Sequence, residues 1–156
     1  MIPAARPLIG EEERLAVHRV LESGDLAQGP NVAAFEQEFS TLAAAGSHCV
    51  AVNSGTSAQH LAMLAAGIGP GDEVLVPSFT FAATANSVAL TGATPVFIDI
   101  DAQTFCMSVL GARDAITDRT KAIMPVHLYG HPADLPGFVQ LCQEFDLVLI
   151  EDAAQA

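Results

Sequence analysis

The segment Asn53-Ser-Gly-Thr-Ser-Ala58 has the residue types of a phosphate-binding turn. It follows an apolar run and opens a predicted helix that extends to Ala66, so its backbone N–H groups face outward from a helix N-terminus, where anions bind. Gly55 permits close approach of a ligand, and Thr56 offers a hydroxyl donor. Neither G-x-G-x-x-G nor G-x-x-x-x-G-K-[ST] occurs here, which favours a single phosphate group. Helix capping by Ser and Thr explains the same residue types and remains an alternative.

Two aromatic residues follow a second apolar run, in Pro77-Ser-Phe-Thr-Phe-Ala-Ala-Thr-Ala-Asn86. A planar heteroaromatic ligand can stack on Phe79 or Phe81. Stacking adds only about 0.5–1.5 kcal/mol beyond area burial, and most phenylalanines are buried for packing alone. The aromatic residues therefore indicate a ring site only in combination with the other motifs.

A third apolar run ends in two acids, in Ile150-Glu-Asp-Ala-Ala-Gln155. Strand alternation directs one carboxylate inward and the other outward. An inward Asp152 suits a protonated ring nitrogen, which it would keep charged, and this is the contribution that proteins make to pyridoxal phosphate chemistry. A helix N-cap role for Asp152 is the competing interpretation.

The elements that position these motifs follow an α/β pattern. Helices are predicted from Glu11 to Leu21 and from Asn31 to Ala45. Continuous Val/Ile/Leu runs separated by crossovers predict a three-layer α/β fold, with a mainly parallel sheet and helices on both faces. In such a sheet all three motifs lie at the carboxyl edge. The predicted strands are His48–Asn53, Glu73–Pro77, Pro95–Asp99, Lys121–His127 and Leu147–Asp152.

Composition narrows the class of protein. A formal charge of −12, from 18 acids against six bases, argues against nucleic acid or an anionic membrane as partner. Cys49, Cys106 and Cys142 show neither disulfide nor zinc spacing and are interpreted as buried thiols in a reducing cytoplasm. No run approaches the ~18 apolar residues of a membrane span. His127 and His131 flank a predicted turn, so no metal site is expected.

The motifs together resemble the N-terminal part of the large domain of the DegT/DnrJ/StrS family of sugar aminotransferases, which are fold-type I pyridoxal phosphate enzymes. The resemblance implies that Gly55 and Thr56 bind the cofactor phosphate, that Phe81 stacks on the pyridine ring, that Asp152 pairs with the ring nitrogen, and that Gln155 lies beside the ring substituents. Phe79 would then serve packing. Further matching segments are Ser23-Gly-Asp-Leu-Ala-Gln-Gly-Pro30, Gly69-Pro-Gly-Asp-Glu-Val74, Gly92-Ala-Thr-Pro-Val-Phe-Ile-Asp99, Arg119-Thr-Lys-Ala-Ile123 and Pro125-Val-His-Leu-Tyr-Gly130.

The resemblance also implies a reaction and an organisation. Family members typically transfer an amino group from glutamate to a keto group of a nucleotide-linked sugar and work as homodimers. Residues 1–46 are expected to form an N-terminal helical segment, and residues 47–156 a partial cofactor-binding domain without the C-terminal small domain. The family's Schiff-base lysine lies beyond Gln155, and Lys121 is the only lysine here. Because Lys121 begins a strand, at the end opposite the site, we expect this chain alone to be inactive.

Two other functions stay open at this point. Relatives with histidine in place of the Schiff-base lysine are dehydratases of keto sugars that use the same cofactor. A non-catalytic binding or interaction module is the alternative from another class, because a partial sheet exposes apolar edges and faces that favour association. The sequence does not identify the nucleotide, the sugar or the ring position that would be aminated.

Overall fold

The computed structural model describes residues 7–43 and 46–156. The described chain divides into two compact units between Ala51 and Val52. No helix within the described residues is both long and apolar enough to span a membrane.

The first unit contains helix α1 (Glu11–Ser23) and helix α2 (Pro30–Leu42). Three glutamates occupy the first turn of α1, where the helix dipole favours negative charge, and Gly24 ends the helix in the left-handed conformation. Pro30 begins α2, because its fixed φ suits a first helical position and its missing N–H is not needed there. Both helix predictions are confirmed, although the predicted end of the second at Ala45 lies outside the described residues.

The predicted strand His48–Asn53 is wrong. Residues 47–52 have no assigned secondary structure. An extended segment forms a strand only when another strand pairs with it, and none of the described strands pairs with this one. The N–H of Ala51 instead donates to the Glu36 carboxylate at 2.8 Å.

The second unit is a parallel α/β sheet. Its strand order is β2-β1-β3-β4, and every pairing of neighbouring strands is parallel. This confirms the predicted fold class. The elements, in chain order, are α3 (Gly55–Ala65), β1 (Glu73–Pro77), α4 (Ala83–Leu90), β2 (Thr94–Ile98), α5 (Val109–Asp114), β3 (Thr120–Ile123), a 3-10 turn (Leu128–Gly130), α6 (Leu135–Phe145) and β4 (Val148–Leu149).

Both faces of this sheet are covered by helices. Alternate residues of β1 point to opposite faces: Val74 and Val76 pack with buried residues of α3 and α4, and Leu75 packs with those of α5 and α6. Phe138 of α6 is fully buried. A strand buried on both faces explains why its sequence is a continuous apolar run and not an alternating one.

Strands β3 and β4 are shorter than predicted. Pro125 cannot donate a ladder hydrogen bond, so the regular pairing stops before it. A single parallel bridge then joins Val126 to Asp152, with the Asp152 N–H donating to the Pro125 carbonyl at 3.0 Å and the His127 N–H donating to the Asp152 carbonyl at 3.1 Å. This bridge fixes Asp152 at the carboxyl edge of the sheet.

A buried acid, Glu73, lies at the amino edge of the sheet. Glu73 accepts a hydrogen bond from the Thr117 hydroxyl at 2.6 Å and is paired with Arg119. The Thr117 hydrogen bond, followed by the Arg119 guanidinium, lowers the pKa of Glu73 below its ordinary value of 4.5. Lys121 lies exposed near this same edge. Of the three cysteines, all free, Cys106 and Cys142 are buried as predicted, whereas Cys49 is partly exposed.

Candidate functional site

A cavity of about 320 Å³ opens at the carboxyl edge of the sheet in the second unit. Ligand pockets of proteins typically hold about 300–1,000 Å³, so its size suits a small organic molecule. All five residues predicted to hold a cofactor line its wall. The lining residues are Gly55, Thr56, Gln59, Thr80, Phe81, Ala83, Val126, Leu128, Asp152, Ala154 and Gln155.

The N-terminus of α3 forms one side of the cavity. Ser54 caps this helix, because its hydroxyl oxygen accepts the Ser57 N–H at 3.1 Å. The Ser57 hydroxyl in turn lies 2.8 Å from the Asn53 amide oxygen. Ser54 therefore caps α3. Thr56 does not cap the helix and lines the cavity. At Gly55 an added Cβ would meet no atom within 4 Å, so the helix start faces open space.

Asp152 also lines the cavity and is only 7% exposed. Its Oδ2 accepts the Thr84 hydroxyl at 2.9 Å, and its Oδ1 accepts the Ala154 N–H at 3.2 Å. A carboxylate that accepts one donor on each oxygen retains lone pairs for a third donor from the cavity.

Gln155 is oriented by the backbone of the 3-10 turn. Its side-chain oxygen accepts the Tyr129 N–H at 2.7 Å. Tyr129 adopts a left-handed conformation with φ 55°, which is uncommon for a residue with a side chain and occurs where the surroundings enforce it. With its oxygen engaged, the Gln155 amide has its NH2 group left for a ligand.

Phe81 lines the cavity and is 78% exposed. A phenylalanine with most of its ring in water contributes little to the core, so the core interpretation of Phe81 fails. Phe79 contacts the Phe105 ring, with centroids 6.2 Å apart, and does not line the cavity. The packing role predicted for Phe79 agrees with this contact.

His127 and Lys121 do not line the cavity. The His127 ring accepts the Ala133 N–H on Nδ1 at 3.1 Å, so the neutral ring carries its proton on Nε2, which lies 3.0 Å from the Glu151 carboxylate. Glu151 and Asp152 thus point to opposite sides, as strand alternation requires. The described residues contain no cluster of three or more side chains able to bind a metal ion.

Comparison with known proteins places this geometry in a family. Residues 7–156 match the model of the DegT/DnrJ/EryC1/StrS aminotransferase family. The chain belongs to this family. It is 48% identical over 155 residues to the spore coat polysaccharide biosynthesis protein SpsC of Bacillus subtilis, covering 99% of this chain and 40% of SpsC.

Solved structures of aminotransferase family members share the fold. DesV from S. venezuelae, solved in complex with a ketimine intermediate, has a TM-score of 0.87 and 46% identity, over 93% of this chain and 39% of DesV. NtdA from Bacillus subtilis, solved with bound cofactor PMP, has a TM-score of 0.87 and 39% identity, over 92% of this chain and 33% of NtdA. The chain therefore spans well under half the length of these relatives.

Three polar residues at the site of this family member were not predicted from the sequence. Gln59 and Thr80 line the cavity, and Thr84 contacts Asp152. Thr84 is completely buried, and Thr80 lies four residues earlier, before α4 begins, with their hydroxyl oxygens 3.0 Å apart. The i, i+4 spacing of two threonines in an otherwise apolar segment was the available signal. It was insufficient alone, because their partner, Asp152, is 68 residues away in sequence.

Proposed function

We propose that the cavity binds pyridoxal 5′-phosphate and its pyridoxamine form, as the cofactor site of a sugar aminotransferase. The observation that carries the proposal is the burial of Asp152 in the wall of a cavity that begins at the N-terminus of α3. A helix N-terminus and a buried carboxylate thus line one space of suitable size, which supports a phosphate at one and a ring nitrogen at the other. NtdA, whose structure contains PMP, shares this fold.

The residues fit the phosphate of the cofactor. The first turn of a helix has N–H groups without partners inside the helix, and these bind phosphate oxygens. Gly55 leaves room for the phosphate to approach these groups. Thr56, half-buried at the cavity wall, supplies a hydroxyl donor. A single helix N-terminus suits one phosphate group.

The residues also fit the pyridine ring. Asp152 would accept a hydrogen bond from the ring nitrogen and hold its proton, Phe81 would cover one face of the ring, and the Gln155 amide would donate to a ring substituent. When bound, the cofactor supplies an electron sink for the substrate amino carbon. The contribution of the described residues is to bind the ring, to orient it and to keep its nitrogen protonated.

The reaction that we propose for the whole protein is transfer of an amino group, with glutamate as donor, to a keto group of a nucleotide-linked sugar. Family membership and similarity to SpsC, a polysaccharide biosynthesis protein, support this class. A homodimer is part of the same proposal and rests on the family resemblance. A cytoplasmic location rests on the three free thiols.

We further propose that the 156-residue chain does not catalyse this reaction alone. Lys121, its only lysine, lies five positions before Val126, where the strand reaches the cavity. At about 3.3 Å per residue, this separates them by about 16 Å, beyond the reach of a side chain with four methylene groups. None of the described lining residues has a side-chain amine that could bond covalently to the cofactor.

Calorimetric titration of the chain with pyridoxamine phosphate tests the cofactor site, because this form needs no lysine. We expect saturable 1:1 binding, much weaker binding of pyridoxamine, and a loss of ten-fold or more in affinity in Asp152→Asn, since hydrogen bonds to charged groups contribute about 1.5–3 kcal/mol. Asp118→Asn, which makes the same charge change at an exposed position, is the control. Equal affinity in wild type and Asp152→Asn would contradict the proposal.

A further inference from the structure

The hydroxyls of Thr80 and Thr84 form a hydrogen-bonded chain that ends at the Asp152 carboxylate. The Thr80 and Thr84 hydroxyl oxygens lie 3.0 Å apart, and the Thr84 hydroxyl lies 2.9 Å from Asp152 Oδ2. Thr84 has no exposed surface, and Thr80 is partly buried beside the cavity. These groups are held at hydrogen-bonding distance by α4 and the turn that precedes it.

The number of protons available fixes which hydroxyl donates and which accepts in this chain. A hydroxyl has one proton, and an ionised carboxylate can only accept. The Thr84 proton is therefore donated to Asp152, and the Thr80 proton is donated to the Thr84 oxygen. Each donor polarises the next, and a donor to a carboxylate stabilises its charged form.

The threonine at the other end of the same helix behaves differently. Thr91 is also buried, but its hydroxyl donates to the carbonyl of Val88, three residues earlier. Thr91 thus satisfies its hydroxyl locally, as threonines in helices commonly do. Thr84 instead donates to a residue 68 positions away, on the sheet edge that forms the cavity wall.

We propose that Thr84 is a positioning residue that holds the Asp152 carboxylate in place to accept from the cofactor ring nitrogen, with Thr80 supporting it. This inference rests on the proposed function. The Thr84 hydroxyl holds one oxygen of the carboxylate and the Ala154 N–H holds the other, so Asp152 cannot turn away from the cavity without losing a hydrogen bond. Without the Thr84 donor, the carboxylate is no longer held in position to accept from the ring nitrogen. The ring then loses the stabilisation of its positive charge and deprotonates at lower pH.

The test is the nitrogen-15 chemical shift of ring-labelled pyridoxamine phosphate bound to the 156-residue chain, followed across pH, together with its affinity. In Thr84→Val we expect the midpoint of ring-nitrogen deprotonation to fall by about one pH unit or more and the affinity to fall about ten-fold. Thr84→Ser keeps the hydroxyl and should restore both values. Thr91→Val, the matched loss of a buried hydroxyl on the same helix, should leave the midpoint unchanged.

Thr80→Val provides an independent test if Thr84→Val disturbs folding. It leaves the Asp152 contact in place, and we expect a smaller shift of the midpoint in the same direction. An unchanged midpoint in folded Thr84→Val, or in Thr80→Val where Thr84→Val does not fold, would overturn the inference while leaving the cofactor site intact. A wild-type chain that does not bind pyridoxamine phosphate would overturn the proposed function and this inference together.

Discussion

Replacing Phe81 by alanine should separate binding from folding. The side chain is 78% exposed, so its removal takes little apolar surface out of the core. Exposed substitutions usually change the free energy of unfolding by no more than about 0.5 kcal/mol. If the ring covers a face of the cofactor, its removal costs at least the stacking contribution of about 0.5–1.5 kcal/mol, or about 2- to 13-fold in affinity, with lost area burial added.

Calorimetry with pyridoxamine phosphate and urea unfolding of the same samples measure the two quantities. Phe81→Tyr keeps an aromatic face and should bind as the wild type does. Phe79→Ala is the matched control, because Phe79 is 46% exposed and contacts Phe105 instead of lining the cavity. The stacking argument is refuted if Phe81→Ala binds with wild-type affinity, or if Phe79→Ala weakens binding equally.

Two further predictions concern stability. In urea unfolding, Gly92→Ala should lower the free energy of unfolding by about 1–3 kcal/mol more than Gly67→Ala does. Both glycines have positive φ, so both substitutions carry the same backbone cost. A Cβ at Gly92 would also lie 2.9 Å from the Pro70 ring, whereas a Cβ at Gly67 would meet no atom within 4 Å. Equal losses would remove the steric explanation. Glu73 has a pKa lowered by the Thr117 hydroxyl, so its contribution to stability should be present above pH 4.5 and disappear as the pH falls through its lower folded-state value. The wild type should therefore lose its advantage over Glu73→Gln in acid, and a pH-independent difference would contradict the ionic role.

The fold could be predicted to the extent that local patterns determine it. The apolar run of β1 was located at its observed ends because its residues are buried on both faces. The apolar run from His48 to Asn53 has similar composition but forms no strand. Pairing with a neighbouring strand decides that outcome, and pairing is not a property of the segment itself.

The same limit explains which site residues were found. Gly55, Phe81 and Asp152 each follow an apolar run or open a helix, so motif and position identified them. Thr84 and Gln59 are recognised only through their contacts. Thr84 donates to Asp152, and Gln59 accepts from the hydroxyl of Ser87, on the neighbouring helix, at 3.1 Å. No residue next to Thr84 in the sequence distinguishes it from a threonine that satisfies its own helix.

Binding and chemistry are separable in this cavity. Asp152 is the only ionisable side chain among the described lining residues, and its two oxygens already accept Thr84 and Ala154. A carboxylate that holds a ring proton, as we propose for Asp152, is unsuited to moving protons at the substrate carbon, and the nearby His127 ring lies against Glu151. We therefore propose that the described residues form the part of the site that selects and polarises a cofactor. For this reason, the protonation of the bound ring tests what the chain contributes more directly than turnover does.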